Sequence, residues 1–409
     1  MNQGYVDYLS LPTIRLQSFR LRELGVPLPD LPAQRRAAFA EAARLDGAFT
    51  VELPAAWDGV IQQMIPRAHG VARRYLKREG GFHDELTRFN DGRQPPHGPV
   101  WPADRTRSDD PDEYQPQRGI FVRLERLWDV YRDPVLVLGF LAKQFVRAQA
   151  LCRLLELLQI PPGRWSEATG SAVDGAWLGV AEERRELLDR LLERAGRTDG
   201  DDGLEREVAD LSAVWQAGCG GWYWSSLNFY LYDGADSDLE RTEIRPVEDL
   251  EGNRGFAATL LHEHSDYDFV ASVVNNMTGL QARDRQGRWH RVEPGPLLLN
   301  VGKAMQLLAG DRYENGRIVG DAMRAIPHRV VLQGATREAV REQLESVRRR
   351  ISIVGVTEPH GEEASLLSWD RERGELYPVP GLEHCKFWQF LTRNIPDPPA
   401  VEGESRTCG

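Results

Sequence analysis

Hydrophobic positions recur with different periods in the two halves of this chain. In residues 119–159 and 177–215, Leu, Val and Phe return at helical spacing, with a break at Pro134 and a turn, RTDGDDG, at 197–203. After Gly218, short β-rich runs such as FAATLL, FVASVV and LLLNV alternate with turn residues. Helical periodicity predicts amphipathic helices, and many short strands separated by turns predict a sandwich or barrel. We expect a mixed α and β fold in which a helical N-terminal half packs on a C-terminal β-sandwich as one cooperative unit.

Turn residues and helix formers set further boundaries. Gly47 is expected to end a helix that begins near residue 33, ahead of a short strand, AFTVEL. Residues 80–117 are rich in Gly, Pro, Asp and Arg, which is typical of a long loop. Further helices are expected over residues 57–77, 336–349 and 381–393.

The composition excludes several classes of protein. With a net charge of −11 over 409 residues, the chain lacks the basic footprint of a nucleic-acid-binding protein. No stretch of about 18 uncharged apolar residues is present, so no transmembrane helix is expected. The N-terminal run MNQGYVDYLSLPTIRL does not resemble a secretory signal. The four cysteines form no CxxC pair, which favours a reducing, cytoplasmic setting over a disulfide framework.

The run LLHEHSDYDF at 260–269 concentrates metal-binding chemistry on one predicted strand. Residues two apart on a strand point to the same face, so His264 and Asp266 project together. An imidazole and a carboxylate supply two of the three ligands of a facial triad for Fe(II). His328, 62 residues after Asp266 in AIPHRVVL, is the best candidate for the third. His262 is also two residues from His264, which leaves an HxH zinc site as an alternative.

A second pair of residues suggests a carboxylate anchor. In RRRISIVGV, residues 348–356, Arg350 and Ser352 lie two apart on a predicted strand and face the same way. A guanidinium binds a carboxylate with two hydrogen bonds, and a neighbouring hydroxyl adds a third. This pair is a candidate to hold one acid end of a small co-substrate whose other end reaches the metal. Tyr230, in LNFYLYD, is a candidate to add a phenol to the same carboxylate, or to pack in the core as a strand aromatic.

Taken in order, these motifs resemble the isopenicillin N synthase-like family of Fe(II)- and 2-oxoglutarate-dependent oxygenases. The similarity is carried by LPTIRL (11–16), HSDYDF (264–269), GLQ (279–281), QGRW (286–289), PGPLLLNVGK (294–303), HRV (328–330) and RIS (350–352). The resemblance implies a double-stranded β-helix, or jelly roll, with helices packed outside. It implies His264, Asp266 and His328 as iron ligands and Arg350 with Ser352 as the anchor of 2-oxoglutarate. Tyr230 and Asn228 match the family's Asn-x-Tyr strand.

The resemblance also shows where this chain departs from the family. The interval from His328 to Arg350 is 22 residues, longer than usual, and the helix expected at 336–349 fills it. Arg348 and Arg349 are therefore alternatives to Arg350. Lys303 stands where the family has Asp. The expected organisation is a mostly helical region at 1–216, an oxygenase core at 217–358 and a helical tail at 359–409 that is a candidate lid over the active site.

The leading hypothesis is an enzyme that uses Fe(II), 2-oxoglutarate and O2 to oxidise a small molecule by hydroxylation, desaturation or ring closure, in a pathway such as natural-product biosynthesis. One alternative is an oxidase of the isopenicillin N synthase type that needs no 2-oxoglutarate. Another is a non-catalytic metal-binding protein on the same scaffold. We expect no nucleic-acid or membrane partner, and the sequence leaves the oligomeric state open.

Overall fold

The computed structural model describes residues 11–76, 100–101, 117–123, 127–169, 175–196, 202–219, 223–230, 242–248, 254–347, 350–358 and 364–391. The α-helices are α1 (Leu21–Leu24), α2 (Ala33–Glu41), α3 (Ala55–Leu76), α4 (Leu127–Tyr131), α5 (Pro134–Leu157), α6 (Trp165–Thr169), α7 (Gly175–Ala195), α8 (Asp202–Cys219), α9 (Lys303–Leu308), α10 (Arg337–Val347) and α11 (Phe387–Leu391). The strands are β1 (Ser18–Arg20), β2 (Ala48–Glu52), β3 (Val100–Trp101), β4 (Gln117–Arg123), β5 (Tyr223–Tyr230), β6 (Ile244–Glu248), β7 (Arg254–His264), β8 (Val270–Asn275), β9 (Leu280–Arg283), β10 (Trp289–Arg291), β11 (Leu297–Val301), β12 (Arg312–Glu314), β13 (Arg317–Val319), β14 (His328–Gly334), β15 (Ile351–Thr357), β16 (Leu367–Asp370) and β17 (Glu375–Pro378).

Two sheets form the core of the fold. The larger sheet has the strand order β1-β2-β11-β8-β15-β5-β4-β3, and the smaller has the order β10-β9-β14-β7-β6. Along the chain the strands cross between them: β7 lies in the smaller sheet, β8 in the larger, β9 and β10 in the smaller, β11 in the larger, β14 in the smaller and β15 in the larger. This crossing winds the chain around the space between the sheets, which is the topology of a jelly roll. The expected fold class is confirmed.

The space between the sheets is apolar. Val273 and Leu298 of the larger sheet pack in one buried cluster with Leu260, Leu280 and Val330 of the smaller sheet. A cluster that draws side chains from both sheets lies between them. Since alternate residues of a strand share a face, this cluster identifies the interior face of each strand.

The opposite face of the larger sheet is covered by helices. Val270, Val274, Ile351 and Ile353 pack in a second cluster with residues of α3, α5 and α7. The long helix α5 begins at Pro134. The carboxylate of Asp133 caps this helix by accepting hydrogen bonds from the backbone N–H groups of Val135 and Leu136. Among the described residues, α5 alone has the length and apolar composition of a membrane span, and all of it is buried inside the fold. Its burial accounts for that composition.

The structure confirms some of the helix and strand boundaries predicted from the sequence and corrects others. The helix that ends at Gly47 is confirmed, because α2 continues as a π-helical turn over Ala42–Asp46 and Gly47 then adopts a φ of 71°. A Cβ at Gly47 would lie 2.4 Å from the carbonyl oxygen of Arg324. The helices expected at 57–77 and 336–349 are confirmed as α3 and α10. The helix expected from residue 119 was wrong at its start, where GIFVR belongs to strand β4. A short apolar run is compatible with the helical period and with the strand period, and pairing with β5 decides between them.

The tail helix, α11, is shorter than expected. Residues 80–99 and 102–116 of the expected loop lie outside the described residues.

A buried polar cluster attaches α5 to the larger sheet. Arg147, 1% exposed, donates hydrogen bonds to Ser272 Oγ at 2.7 Å and to Thr357 Oγ1 at 3.2 Å. The ammonium of Lys143 donates to the carbonyl oxygen of Ile353. Burial, with Arg147 nearby, holds the pKa of Lys143 well below its usual range. The guanidinium passes directly over Gly355, where a Cβ would lie 1.6 Å from Arg147 Nη1.

Replacing Gly355 by alanine is therefore expected to destabilise the protein. The added methyl group displaces a buried guanidinium, and overpacking of this kind lowers the free energy of unfolding by about 1–3 kcal/mol. Urea denaturation measures the change. Gly59→Ala is the matched control, because nothing lies within 4 Å of its added Cβ and the site is in helix α3. Equal effects of the two substitutions would contradict the tight contact at Gly355.

Candidate metal centre

Two adjacent antiparallel strands bring the two candidate histidines together. His264 is the last residue of β7 and His328 is the first of β14, and they are paired in register. Their ring centroids are 4.3 Å apart. The chain leaves β7 at His264, so Asp266 follows in the connection to β8 rather than on the strand itself. The predicted three residues therefore converge at one end of the jelly roll.

The three side chains can contact a single ion. Asp266 Oδ1 lies 3.9 Å from His264 Nε2 and 3.6 Å from His328 Nε2. All three ligand atoms lie within 4.8 Å of one another, and among the described residues no other such group occurs. A metal–nitrogen bond is about 2.1 Å long. The separations of 3.9 and 3.6 Å are each less than twice that length, so one ion can contact Asp266 together with either imidazole. Two imidazoles and one carboxylate are the donor set of non-haem Fe(II) sites.

Backbone carbonyls orient both imidazoles. His264 Nδ1–H donates to the carbonyl oxygen of His262 at 2.8 Å, and His328 Nδ1–H donates to that of Ile326 at 3.2 Å. A carbonyl oxygen only accepts, so each Nδ1 carries the proton and each Nε2 presents its lone pair. Outer contacts of this type fix the tautomer and the ring orientation of metal-binding histidines. His262 contributes its backbone to the site, and its side chain lies outside the ligand group.

Asp266 is held by the end of strand β11 and the start of helix α9. Asn300 Nδ2 donates to Asp266 Oδ2 at 3.3 Å, which leaves Oδ1 facing the histidines. The backbone N–H of Lys303 donates to the carbonyl oxygen of Asp266 at 2.8 Å. Gly302 makes this approach feasible, because a Cβ there would lie 2.0 Å from the carbonyl oxygen of Asp268. The motif PGPLLLNVGK was visible in the sequence, but it assigned no role to Asn300.

His264 is neutral in this setting. Burial, and next the imidazole of His328, lower the pKa of His264 to about 4. Burial disfavours the charged form of a histidine, and a second imidazole nearby acts in the same direction. The neutral ring keeps its Nε2 lone pair available to a metal at neutral pH.

Metal-free protein is expected to lose stability as the pH falls from 6.5 towards about 4. In that range the unfolded chain binds a proton at residue 264 that the folded chain excludes, so the free energy of unfolding decreases with falling pH. The side chain of His264 is 32% exposed, and solvent screening limits the effect to about 1–2 kcal/mol. Urea denaturation at pH 7 and pH 5 tests this. His264→Gln lacks the titrating group, and an unchanged pH dependence in that variant would contradict the assignment.

The structure buries both Arg350 and Ser352, which lie just before and within strand β15. Arg350 is 1% exposed and Ser352 is 6% exposed. Val354, two residues further on, packs against the cluster between the sheets. Because alternate strand residues share a face, Ser352 faces the same space. Arg350 immediately precedes the strand, and its assignment to that face stays a prediction. The alternatives Arg348 and Arg349 lie outside the described residues.

Polar groups that sequence reasoning missed also line this interior. Asn275, 3% exposed, lies opposite Ser352 in the register of β8 and β15. The Oδ1 atoms of Asn275 and Asn300 are buried and have no hydrogen-bond partner among the described residues. Buried polar atoms are nearly always paired, so these two mark an interior suited to a polar ligand or water. A single asparagine in a strand gives no signal of this in the sequence.

Two candidate residues are placed only by their backbone. Asn228 pairs with Ser352, and Tyr230, the last residue of β5, pairs with Gln117 of β4. Their side chains lie outside the described residues, so their assignment to the carboxylate anchor stays a prediction. The roles assigned to His264, Asp266 and His328 as ligands likewise remain predictions, although the structure brings the three together.

Comparison with known proteins gives only distant likenesses. No protein-family profile and no curated protein matches the sequence. Among solved structures, JOX2 in complex with 2OG, Fe and JA has 13% identity and a TM-score of 0.48, with 96% of this chain and 89% of that chain covered. A full-length Neurospora crassa protein in complex with alpha-KG has 10% identity, a TM-score of 0.44 and coverages of 95% and 98%. The dioxygenase for auxin oxidation from Arabidopsis thaliana, in a binary complex with 2-oxoglutarate, has 14% identity, a TM-score of 0.40 and coverages of 88% and 99%. Scores this low carry no argument about the activity of this chain.

Proposed function

We propose that this chain is a non-haem Fe(II)- and 2-oxoglutarate-dependent oxygenase that oxidises a small molecule. The observation that carries the proposal is the convergence of His264 Nε2, His328 Nε2 and Asp266 Oδ1 within 4.8 Å of one another. The same jelly roll holds a buried arginine, Arg350. The order of the sequence motifs supports placement in the isopenicillin N synthase-like family.

The residues present fit an Fe(II) ion. Two imidazole nitrogens and one carboxylate oxygen are the donor set of non-haem Fe(II) sites, and an ion held by them would keep positions open for a 2-oxoacid and O2. When bound, the iron supplies the chemistry that couples oxidative decarboxylation of 2-oxoglutarate, to succinate and CO2, to oxidation of the substrate. The chain itself positions the ligands: the carbonyls of His262 and Ile326 orient the rings, and Asn300 orients Asp266.

The interior supplies the co-substrate anchor. Arg350 and Ser352 would bind the distal carboxylate of 2-oxoglutarate with a guanidinium and a hydroxyl. The register supports this geometry, because Ser352 lies opposite Asn275 at the end of β8 remote from Asp266. The extended dicarboxylate and the long arginine side chain would together span the interval. The apolar cluster between the sheets excludes water from the same space.

An anaerobic titration tests the proposal. Adding 2-oxoglutarate to protein loaded with Fe(II) is expected to produce a weak visible charge-transfer band, since the 2-oxoacid chelates the metal. Turnover is expected to form succinate in step with substrate loss. A folded protein that binds Fe(II) and shows no band would refute the proposal. Oxygen uptake that does not depend on 2-oxoglutarate would indicate an oxidase of the isopenicillin N synthase type, and metal binding without any oxygen uptake would indicate a binding protein.

A natural-product substrate is the class we propose, in line with the sequence resemblance. The position of Lys303, the residue after Gly302, further restricts the chemistry of the substrate.

A further inference from the structure

We propose that Lys303 binds an anionic group of the primary substrate, so that this enzyme acts on small organic acids with an apolar body. This inference rests on the proposed function. It concerns a position where the sequence departs from its family resemblance, because a lysine stands where an aspartate is usual.

Lys303 lies beside the metal ligands. It is the first residue of α9, and its backbone N–H donates to the carbonyl oxygen of Asp266 at 2.8 Å. Its ammonium lies 3.9 Å from the ring centroid of Tyr267, the residue after Asp266. The positive charge also acts on His264, where it opposes protonation. The ammonium is therefore held at the ligand end of the jelly roll.

The ammonium has no acidic partner within the described part of the chain. Exposed lysines usually extend into water, whereas this half-buried side chain is folded back onto an aromatic ring. A cation–π contact contributes about 0.5–2 kcal/mol and leaves the three N–H donors of an ammonium able to bind an anion. With a net charge of −11, the protein as a whole repels acids, so a local cation is needed to retain one.

Aromatic side chains extend from Lys303 along the same side. The ring centroids of Tyr267 and Phe390 are 5.1 Å apart, and those of Phe390 and Tyr313 are 5.9 Å apart. Phe390 comes from α11, and Tyr313 comes from β12. These edge-to-face contacts pack the three rings together next to the ammonium, with Phe390 3% exposed and both tyrosines half-buried. A cation beside an aromatic surface is suited to a molecule with one carboxylate and an apolar body.

The anion at Lys303 is distinct from the co-substrate. Arg350 and Ser352 already offer a carboxylate anchor on the interior face of β15. Lys303 lies at the opposite end of the interior, where Asp266 is bound. Cations near the two ends of β8 can hold two different acids, 2-oxoglutarate at Arg350 and the substrate at Lys303.

The test compares acids with their neutral amides. The probes are phenylacetate, 3-phenylpropionate and hexanoate, each with its amide, added anaerobically to protein loaded with Fe(II) and 2-oxoglutarate. Binding is read from the change in the visible band and by calorimetry, without turnover. We expect at least one acid to bind about 10- to 100-fold more tightly than its amide, the range of a hydrogen bond to a charged group. Lys303→Met is expected to abolish this preference, and Lys303→Arg to retain most of it.

Control measurements separate the possible outcomes. Arg337→Met removes a cation that lies 5.8 Å from the ring centroid of Phe256, at the far end of β7, and is expected to leave the preference for acids unchanged. If no acid binds better than its amide, or if Lys303→Met weakens 2-oxoglutarate instead, the inference is overturned. Failure of the proposed function shows itself separately, as the absence of the visible band in the unmodified protein before any probe is added.

Discussion

His328→Ala is expected to lose Fe(II) binding and, with it, all 2-oxoglutarate turnover. Loss of a partner that merely orients a ligand lowers metal affinity by about 10- to 100-fold, so removal of a ligand is expected to exceed about 100-fold. His328 is 7% exposed, and its Nε2 lies 3.6 Å from Asp266 Oδ1. No other described side chain belongs to the ligand group, so none can replace it. Anaerobic Fe(II) titration measures the affinity, and urea denaturation shows that the variant folds.

His262→Ala is the matched control for this experiment. His262 contributes its carbonyl oxygen to the orientation of His264, and alanine preserves that oxygen. Fe(II) affinity is therefore expected to be unchanged. Asn300→Leu removes the hydrogen bond to Asp266 Oδ2 and is expected to give the intermediate loss of about 10- to 100-fold. Metal binding that survives His328→Ala but not His262→Ala would place the ion on the alternative pair of His262 and His264.

Arg350→Met is expected to weaken 2-oxoglutarate binding by about 30-fold or more while leaving Fe(II) affinity intact. Truncating one partner of a buried, hydrogen-bonded charge pair costs about 2–5 kcal/mol, and about 1.4 kcal/mol corresponds to a factor of ten. Methionine is long and apolar enough to fill most of the buried space that the arginine occupies. Titration of the visible band with 2-oxoglutarate, and calorimetry, measure the loss.

Two further variants make the Arg350 result specific. Arg350→Lys keeps the charge without the planar fork and is expected to recover only part of the affinity. Arg329→Met removes an arginine that stacks on Trp289, 4.0 Å from its ring centroid, and hydrogen-bonds Gln281. That variant is expected to bind 2-oxoglutarate normally. An Arg350→Met protein that binds 2-oxoglutarate as well as the original would remove the anchor from this site and favour the oxidase alternative.

Several elements could be read from local pattern alone. The stop at Gly47, the strand that follows it and helix α10 all follow from residue type and periodicity, because each depends on neighbours within a few positions. The start of β4 could not be read this way. Its run GIFVR suits a helix or a strand, and only the pairing with β5 makes the extended form favourable.

The residues that surround the candidate metal ligands could not be identified from the sequence either. Asn300 is 34 residues from Asp266, and Asn275 is 77 residues from Ser352. Each looks like an ordinary strand asparagine until the sheets are assembled. In the sequence, Lys303 was notable only because it differs from the family pattern. Its contacts with Tyr267 and Asp266 in the structure are what led us to propose that the substrate carries a negative charge.

By itself the sequence determined the kinds of chemistry available to this protein. The HxD spacing, the distant histidine and the RxS pair predict an imidazole–carboxylate metal site and a guanidinium anchor, because ligand type is a property of each residue. The strand alternation assumed for His264 and Asp266 was wrong, since Asp266 lies beyond the end of β7. Tertiary structure alone decided that the three ligand atoms meet, since the register of β7 with β14 pairs His264 with His328 across 64 residues of chain, and the connection after β7 brings Asp266 to them. It also decided that Arg350 is buried and that Lys303 lies beside the candidate metal ligands. Such contacts depend on how strands pair, and a linear pattern does not record the pairing.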